Sequence, residues 1–106
     1  MIVTTTEVIA GKRIVRTLGL VRGNSIRARH LGKDIVASLR NVVGGEIPEY
    51  TKMLAEAREQ ALDRMLAEAK GLGANAVVDV KFSTSYVMGM AAEILVYGDA
   101  VILEED

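Results

Sequence analysis

The side chains able to do chemistry are one histidine, two closely spaced methionines and a group of arginines. Cysteine is absent, which removes disulfides, thiolate metal ligands and thiol nucleophiles together. His30, the sole imidazole, sits among Arg27, Arg29 and Lys33, and their charge opposes both its protonation and the approach of a cation. A surface or structural role for His30 therefore outweighs a metal-ligand role. Met88 and Met90 flank Gly89. Thioethers at that spacing suit a soft cuprous ion, but alternating strand residues or an adaptable interface plug are commoner uses. The basic stretch 22–40 carries Arg22, Arg27, Arg29 and Arg40, with Gly23 and Gly32 where backbone N–H groups could approach an anion. These four arginines form the candidate anion site, and the competing reading is a solvated or interface-paired loop. Nucleic acid is disfavoured as the partner, since no aromatic residue lies between positions 1 and 49 to stack on bases. Catalysis has the least support: there is no His-Asp-Ser arrangement and no HExxH motif. Gly44-Gly45 and Gly71-Leu72-Gly73 lack the Gly-Lys-Ser/Thr of a phosphate loop and read as helix terminators. An enzyme is not expected.

These groups must be positioned by a chain organised around one helix. Residues 49–70 are dominated by Ala, Leu, Met, Glu, Lys and Arg, the strong helix formers. Pro48 suits the first turn, and Gly71 or Gly73 can close the last one in the left-handed conformation. At 100° per residue Tyr50, Leu54, Ala57, Ala61, Met65 and Leu72 form one apolar stripe, with Ala55, Leu62, Leu66 and Ala69 as a second ridge beside it. The polar arc of Lys52, Glu56, Glu59, Asp63 and Lys70 covers less than half the circumference. A helix lying on one sheet needs only a stripe slightly over about 100° wide, so this one is expected to be covered on two sides, the second by another subunit. Arg58 and Glu68 point into the apolar arc. Either their stems lie on apolar surface with the heads in water, or they form an ion pair at a subunit interface.

The rest of the chain reads as strands. The β-branched run 2–9 and the segment 13–22, separated by Gly11 and Lys12, predict a hairpin. Residues 23–33 read as a basic loop, and Asp34 caps a short helix over 35–43 that Gly44-Gly45 ends. Residues 76–82 alternate as a half-buried strand, 83–92 read as a connection around Gly89, and 93–103 is a final strand. In that strand Ile94, Val96, Gly98, Ala100 and Ile102 share one face, and Leu95, Tyr97, Asp99, Val101 and Leu103 the other. Both faces are largely apolar, which again implies cover on both sides. The acidic tail 104–106 is expected to fray. The order β–β–short α–long α–β–β is that of a one-domain α+β protein spanning 1–106, with an antiparallel or mixed sheet.

A chain of 106 residues can bury one core unaided. No apolar run approaches the roughly 18 to 20 residues of a membrane span, and the Thr-rich N-terminus lacks the regions of a signal peptide. A cytoplasmic protein with no membrane partner is the default. The formal net charge of −1 hides an asymmetry: residues 1–43 hold eight basic and two acidic groups, residues 44–106 five and twelve. Opposed halves can attract within the fold or between subunits.

Several short motifs, in order, resemble the pattern of the YbjQ family: Arg40-Asn41-Val42-Val43-Gly44-Gly45, Tyr50, Ala57-Arg58 and Gly73-Ala74-Asn75-Ala76-Val77-Val78, then Thr84-Ser85, Ala91-Ala92-Glu93 and Tyr97-Gly98. The resemblance covers essentially the whole chain. It implies a small dodecin-like α+β subunit assembling into a ring, a homopentamer, and it brings the family's association with heavy-metal binding but no settled activity. A soft metal calls for Cys or clustered His, which this chain does not supply from one subunit. Oxygen ligands, Met88 and Met90, or one His30 from each subunit on a ring axis remain the alternatives for a metal ion. The assembly residues expected are Leu62, Leu66, Tyr97 and the Arg58/Glu68 pair.

Overall fold

In the computed structural model, residues 1–26, 48–87 and 90–106 are described. They form a four-stranded sheet crossed by one helix: β1 (Ile2–Val3), β2 (Lys12–Ile26), α1 (Pro48–Gly71), β3 (Ala76–Val87) and β4 (Met90–Glu105). The sheet order is β1-β3-β4-β2. β1 lies parallel to β3, and β4 is antiparallel to both β3 and β2. This is the expected α+β class with a mixed sheet. The expected short helix over 35–43 lies outside the described residues.

The helix matches its expected span to within a residue at each end. Its C-terminus closes through Gly73, at φ 86. The Ala74 amide donates to the Ala69 carbonyl at 3.1 Å and the Gly73 amide to the Lys70 carbonyl at 3.0 Å, the paired bonds of a Schellman motif. Ala57, Ala61, Met65 and Ala69 are buried against Val21, Val77, Val80, Ile94, Val96 and Ala100, with Leu54, Leu62 and Leu66 half-buried at the margins. The stripe is made largely of alanine because the helix presses close to β2. A Cβ placed on Gly23 would overlap the Ala61 carbonyl oxygen and the Met65 amide nitrogen. Two polar clamps fix the crossing: the buried Ser25 hydroxyl donates to Gln60 Oε1 at 2.8 Å, and Arg64 Nη1 donates to the Asn24 carbonyl at 2.5 Å. Leu72, expected on the buried stripe, is 48% exposed, since it follows the last helical turn.

Four strand expectations change. The run 2–9 does not pair with β2 as a hairpin; only Ile2 and Val3 enter a ladder, and their partner is β3. The threonines supply the reason. Thr6 N–H donates to Thr4 Oγ1 at 3.2 Å and Thr6 Oγ1 donates to the Val8 carbonyl at 2.6 Å, local bonds that compete with a ladder. Residues 23–26, expected as loop, continue β2, because Gly23 and Ser25 are buried beneath α1. β3 runs on to Val87 and β4 begins at Met90, so most of the expected connection is ladder. The tail does not fray at Glu104 and Glu105. Both extend β4 opposite Arg13 and Lys12, with ion pairs Lys12–Glu105 and Arg13–Glu104, the latter at 3.2 Å.

The final strand carries apolar residues on both faces, as expected. Ile94, Val96 and Ala100 face α1, while Val101 and Leu103 join Ala76 and Val78 in a second cluster on the other face, against which Ile9 packs. Part of the second cover is therefore the chain's own N-terminal segment. Asn75 ties this end together: its side chain donates to the Leu103 carbonyl at 3.0 Å and accepts from the Leu103 amide at 2.8 Å, as a strand residue would.

Candidate functional site

The sheet face away from α1 carries a cleft lined by carboxylates. It is shaped by a bulge between Val78 and Lys81, opposite Tyr97–Asp99 of β4. Within the bulge Asp79 adopts φ 55, a left-handed conformation in which Asp is among the better-tolerated residues. Gly98 faces the bulge, and a Cβ there would come within 2.8 Å of Val77 Cγ1 and 3.0 Å of the Val78 carbonyl oxygen. The N-terminal segment holds the bulge from outside: the Asp79 amide donates to the Thr6 carbonyl at 2.8 Å and the Val80 amide to the Thr4 carbonyl at 3.1 Å.

These contacts bring Glu7, Asp79 and Asp99 around one cleft of about 290 Å³, with Thr17 and an apolar wall of Ile14, Val78 and Val101. Lys81 Nζ lies 3.6 Å from Asp79 Oδ2, beyond direct hydrogen-bonding distance. Carboxylates over an apolar floor suit a hard or organic cation. They line the cleft without meeting at a point: among the described residues no three His, Cys, Asp or Glu converge to ligate a metal. Thr17 has no histidine or lysine beside it in the cleft lining to act as a general base.

One rung farther along the sheet, Arg22, Tyr97 and Lys81 stand side by side across β2, β4 and β3. Of the expected anion site only Arg22 is among the described residues. It is exposed and shares a cleft of about 460 Å³ with Asn24, Glu68, Glu93 and Leu95. Asn24 Nδ2 donates to Glu93 Oε2 at 3.1 Å. Two carboxylates beside Arg22 lower its attraction for an anion. Arg27, Arg29, Arg40, His30 and Met88 lie outside the described residues; Met90 begins β4 and its side chain is not described. Of the expected assembly residues, Arg58 and Glu68 are exposed on α1, while Leu62, Leu66 and Tyr97 are half-buried. Sequence reasoning did not single out Glu7, Thr17, Asp79 and Asp99 as a group. The available signal was a carboxylate interrupting each of two apolar runs, Asp79 within 76–80 and Asp99 within 94–103.

Fold and clefts together define a class: an α+β domain in which one helix crosses a mixed sheet built on long antiparallel strands, with open, charge-lined surface clefts. The chain belongs to the YbjQ family, whose model, described as "Putative heavy-metal-binding", matches residues 1–104. A UPF0145 protein of Dehalococcoides mccartyi is 62% identical over 104 residues, covering 98% of this chain and 100% of the relative. One from Methanosarcina acetivorans is 61% identical over 101 residues, 95% of each chain. A third, from Thermus thermophilus, is 57% identical over 104 residues, 98% of this chain and 91% of the relative. Among solved structures, a protein of unknown function from Pediococcus pentosaceus in the DUF74 family matches with a TM-score of 0.58. That match covers 100% of this chain and 98% of the other at 18% identity, a likeness of fold.

The donor set tests the family's description. Heavy, soft metals take thiolate or imidazole; the chain has no cysteine, and its described carboxylates do not converge. The described residues do not fit a resident heavy metal. Among the described residues no helix is long and apolar enough to cross a membrane.

Proposed function

We propose that this protein is a non-enzymatic, cytoplasmic homo-oligomer, a ring of five, that binds a small ligand at its subunit interfaces. The observation that carries this reading is the subunit's shape. Its radius of gyration is 17.1 Å, where a compact domain of this length has about 13 Å. Its long axis of 56 Å matches the reach of a 16-residue strand at about 3.4 Å per residue, while α1 spans roughly 36 Å. So slender a subunit leaves Leu20, Phe82 and Tyr86 each at least half exposed, and large exposed apolar groups gathered on one molecule mark contact surfaces. The number five rests on the family resemblance; the assembly residues are those the helix and the final strand suggest, Leu62, Leu66, Tyr97 and the Arg58/Glu68 pair. A metal ion enters this reading only through donors shared between subunits. The anion-binding alternative through Arg22, Arg27, Arg29 and Arg40 loses weight from Glu68 and Glu93 beside Arg22.

Native mass spectrometry of protein purified without chelator, with elemental analysis of the same sample, tests the proposal. A mass of five subunits is expected, falling when Leu66→Ala and Tyr97→Ala are combined. Stoichiometric metal in the ring would turn attention to shared donors, and a metal-free ring to small organic ligands. A monomer would overturn the reading.

A further inference from the structure

We propose that the cleft at Arg22 is a site for a free α-amino acid with a basic side chain. The inference deepens the reading above: it rests on that reading's small ligand, names the ligand's chemical class, and does not use the count of five.

The cleft lies at the edge of the sheet, where β2 is the last strand, and both sides of that strand contribute to it. Gly23 is buried beneath α1 and lets the helix come close, so Glu68 of α1 joins the lining. From the other side come Arg22 and Asn24 of β2 with Leu95 and Glu93 of β4. Register sets Arg22 opposite Tyr97, Asn24 opposite Leu95, and Glu93 one rung further on. Arg22 and Glu93 therefore stand two rungs apart, about 14 Å along the strands. Among the described residues Arg22 enters no ion pair, although two carboxylates share its cleft. Glu93 accepts from Asn24 through Oε2, and its Oε1 has no partner among the described residues. Half-buried Leu95 forms the apolar wall between the two charges.

A cation and an anion held apart across an apolar wall match a ligand that carries both charges itself. A carboxylate accepts the two parallel bonds that a guanidinium offers, and an ammonium group beside it donates to Glu93. An α-amino acid places those two groups on one carbon. A simple anion would meet Glu68 and Glu93, and a simple amine would meet Arg22. One cation against two carboxylates leaves the lining with a net charge of −1. A side chain ending in a second cation balances that charge, and its methylene stem suits Leu95. The cleft volume of about 460 Å³ falls within the range of small-molecule sites.

Isothermal titration calorimetry of the full chain with L-lysine, norleucine and cadaverine tests the assignment, with circular dichroism reporting fold and native mass spectrometry reporting assembly. Norleucine keeps the α-carboxylate and α-ammonium but lacks the side-chain charge. Cadaverine keeps both ammonium groups but lacks the carboxylate. Lysine should bind once per subunit, at least tenfold more tightly than either. Arg22→Gln should weaken lysine at least tenfold and leave cadaverine no weaker, a split that a structural role for Arg22 would not produce. Glu93→Gln should weaken both. No saturable binding of lysine, norleucine or cadaverine binding as tightly as lysine, or Arg22→Gln weakening lysine and cadaverine alike would overturn this proposal while the ring stands. A monomer that binds lysine as expected would keep the cleft and overturn the ring.

Discussion

The two faces of the sheet solve opposite problems. Beneath α1 the contact is made of small groups, Ala57, Ala61, Ala69 and Gly23, so helix and strand backbones meet with little between them. The buried Ser25 hydroxyl there is satisfied internally, by half-buried Gln60. Among the described residues the other face is covered at one end, by Ile9 over Ala76, Val78, Val101 and Leu103. It then opens into carboxylates, arginine, lysine and an exposed leucine. One face is closed by close packing, where a single methyl group is felt. The other keeps its charges in reach of solvent, where each exposed pair stabilises by little. Fold stability should reside in the first and recognition in the second.

The largest effect that would break this contrast is expected at Gly23. Gly23→Ala places a methyl group against helix backbone, which cannot turn aside as a flexible side chain would. A loss of about 3 kcal/mol is expected, at the upper end for overpacking, or roughly 15 °C in Tm for a domain of this size. Thermal unfolding by circular dichroism reads it. A variant as stable as the wild type would mean that α1 does not press on β2 as described. Next in size is Asn75→Ala at the covered end of the outer face. It removes two bonds to the Leu103 backbone at a part-buried position, a loss of about 2 kcal/mol. In denaturant melts its cost should fall below that of Gly23→Ala, and the reverse order would shift the centre of stability to the outer face.

How much of this could be read from the chain differs between the faces for a physical reason. The helix, its Gly73 terminator and the two-faced alternation of β4 follow from local periodicity and from residue preferences, and the structure has them. What local patterns do not carry is register. Gly23-Asn24-Ser25 has turn composition, yet it is strand, because its small residues make room for a helix that begins at Pro48. The β-branched N-terminus has strand composition, yet Thr4 and Thr6 divert it after two residues. The acid cleft depends on two such non-local features: Glu7 arrives because the N-terminal segment joins β3, and Asp79 shares a cleft with Asp99 because β3 bulges. Arg22 was singled out for its charge, but the two carboxylates that temper it, Glu68 on α1 and Glu93 on β4, are its neighbours only in the fold.

The smallest expected effect bears most directly on what the outer face is for. Asp79 holds φ 55, a conformation that costs a residue with a side chain more than it costs glycine. Its one described ionic partner, Lys81 at 3.6 Å, is 58% exposed, so that contact contributes little. Asp79→Gly should therefore raise stability by about 0.5 to 1 kcal/mol, the order of gain seen when backbone strain is relieved. Differential scanning calorimetry would register it as a few degrees in Tm. A gain would show that the fold alone favours glycine there, and that the Asp79 carboxylate matters for the cleft it lines with Glu7 and Asp99 rather than for stability. A loss instead would make the Asp79 carboxylate part of what holds the bulge closed, and the outer face would then share in the stability here assigned to the helix side.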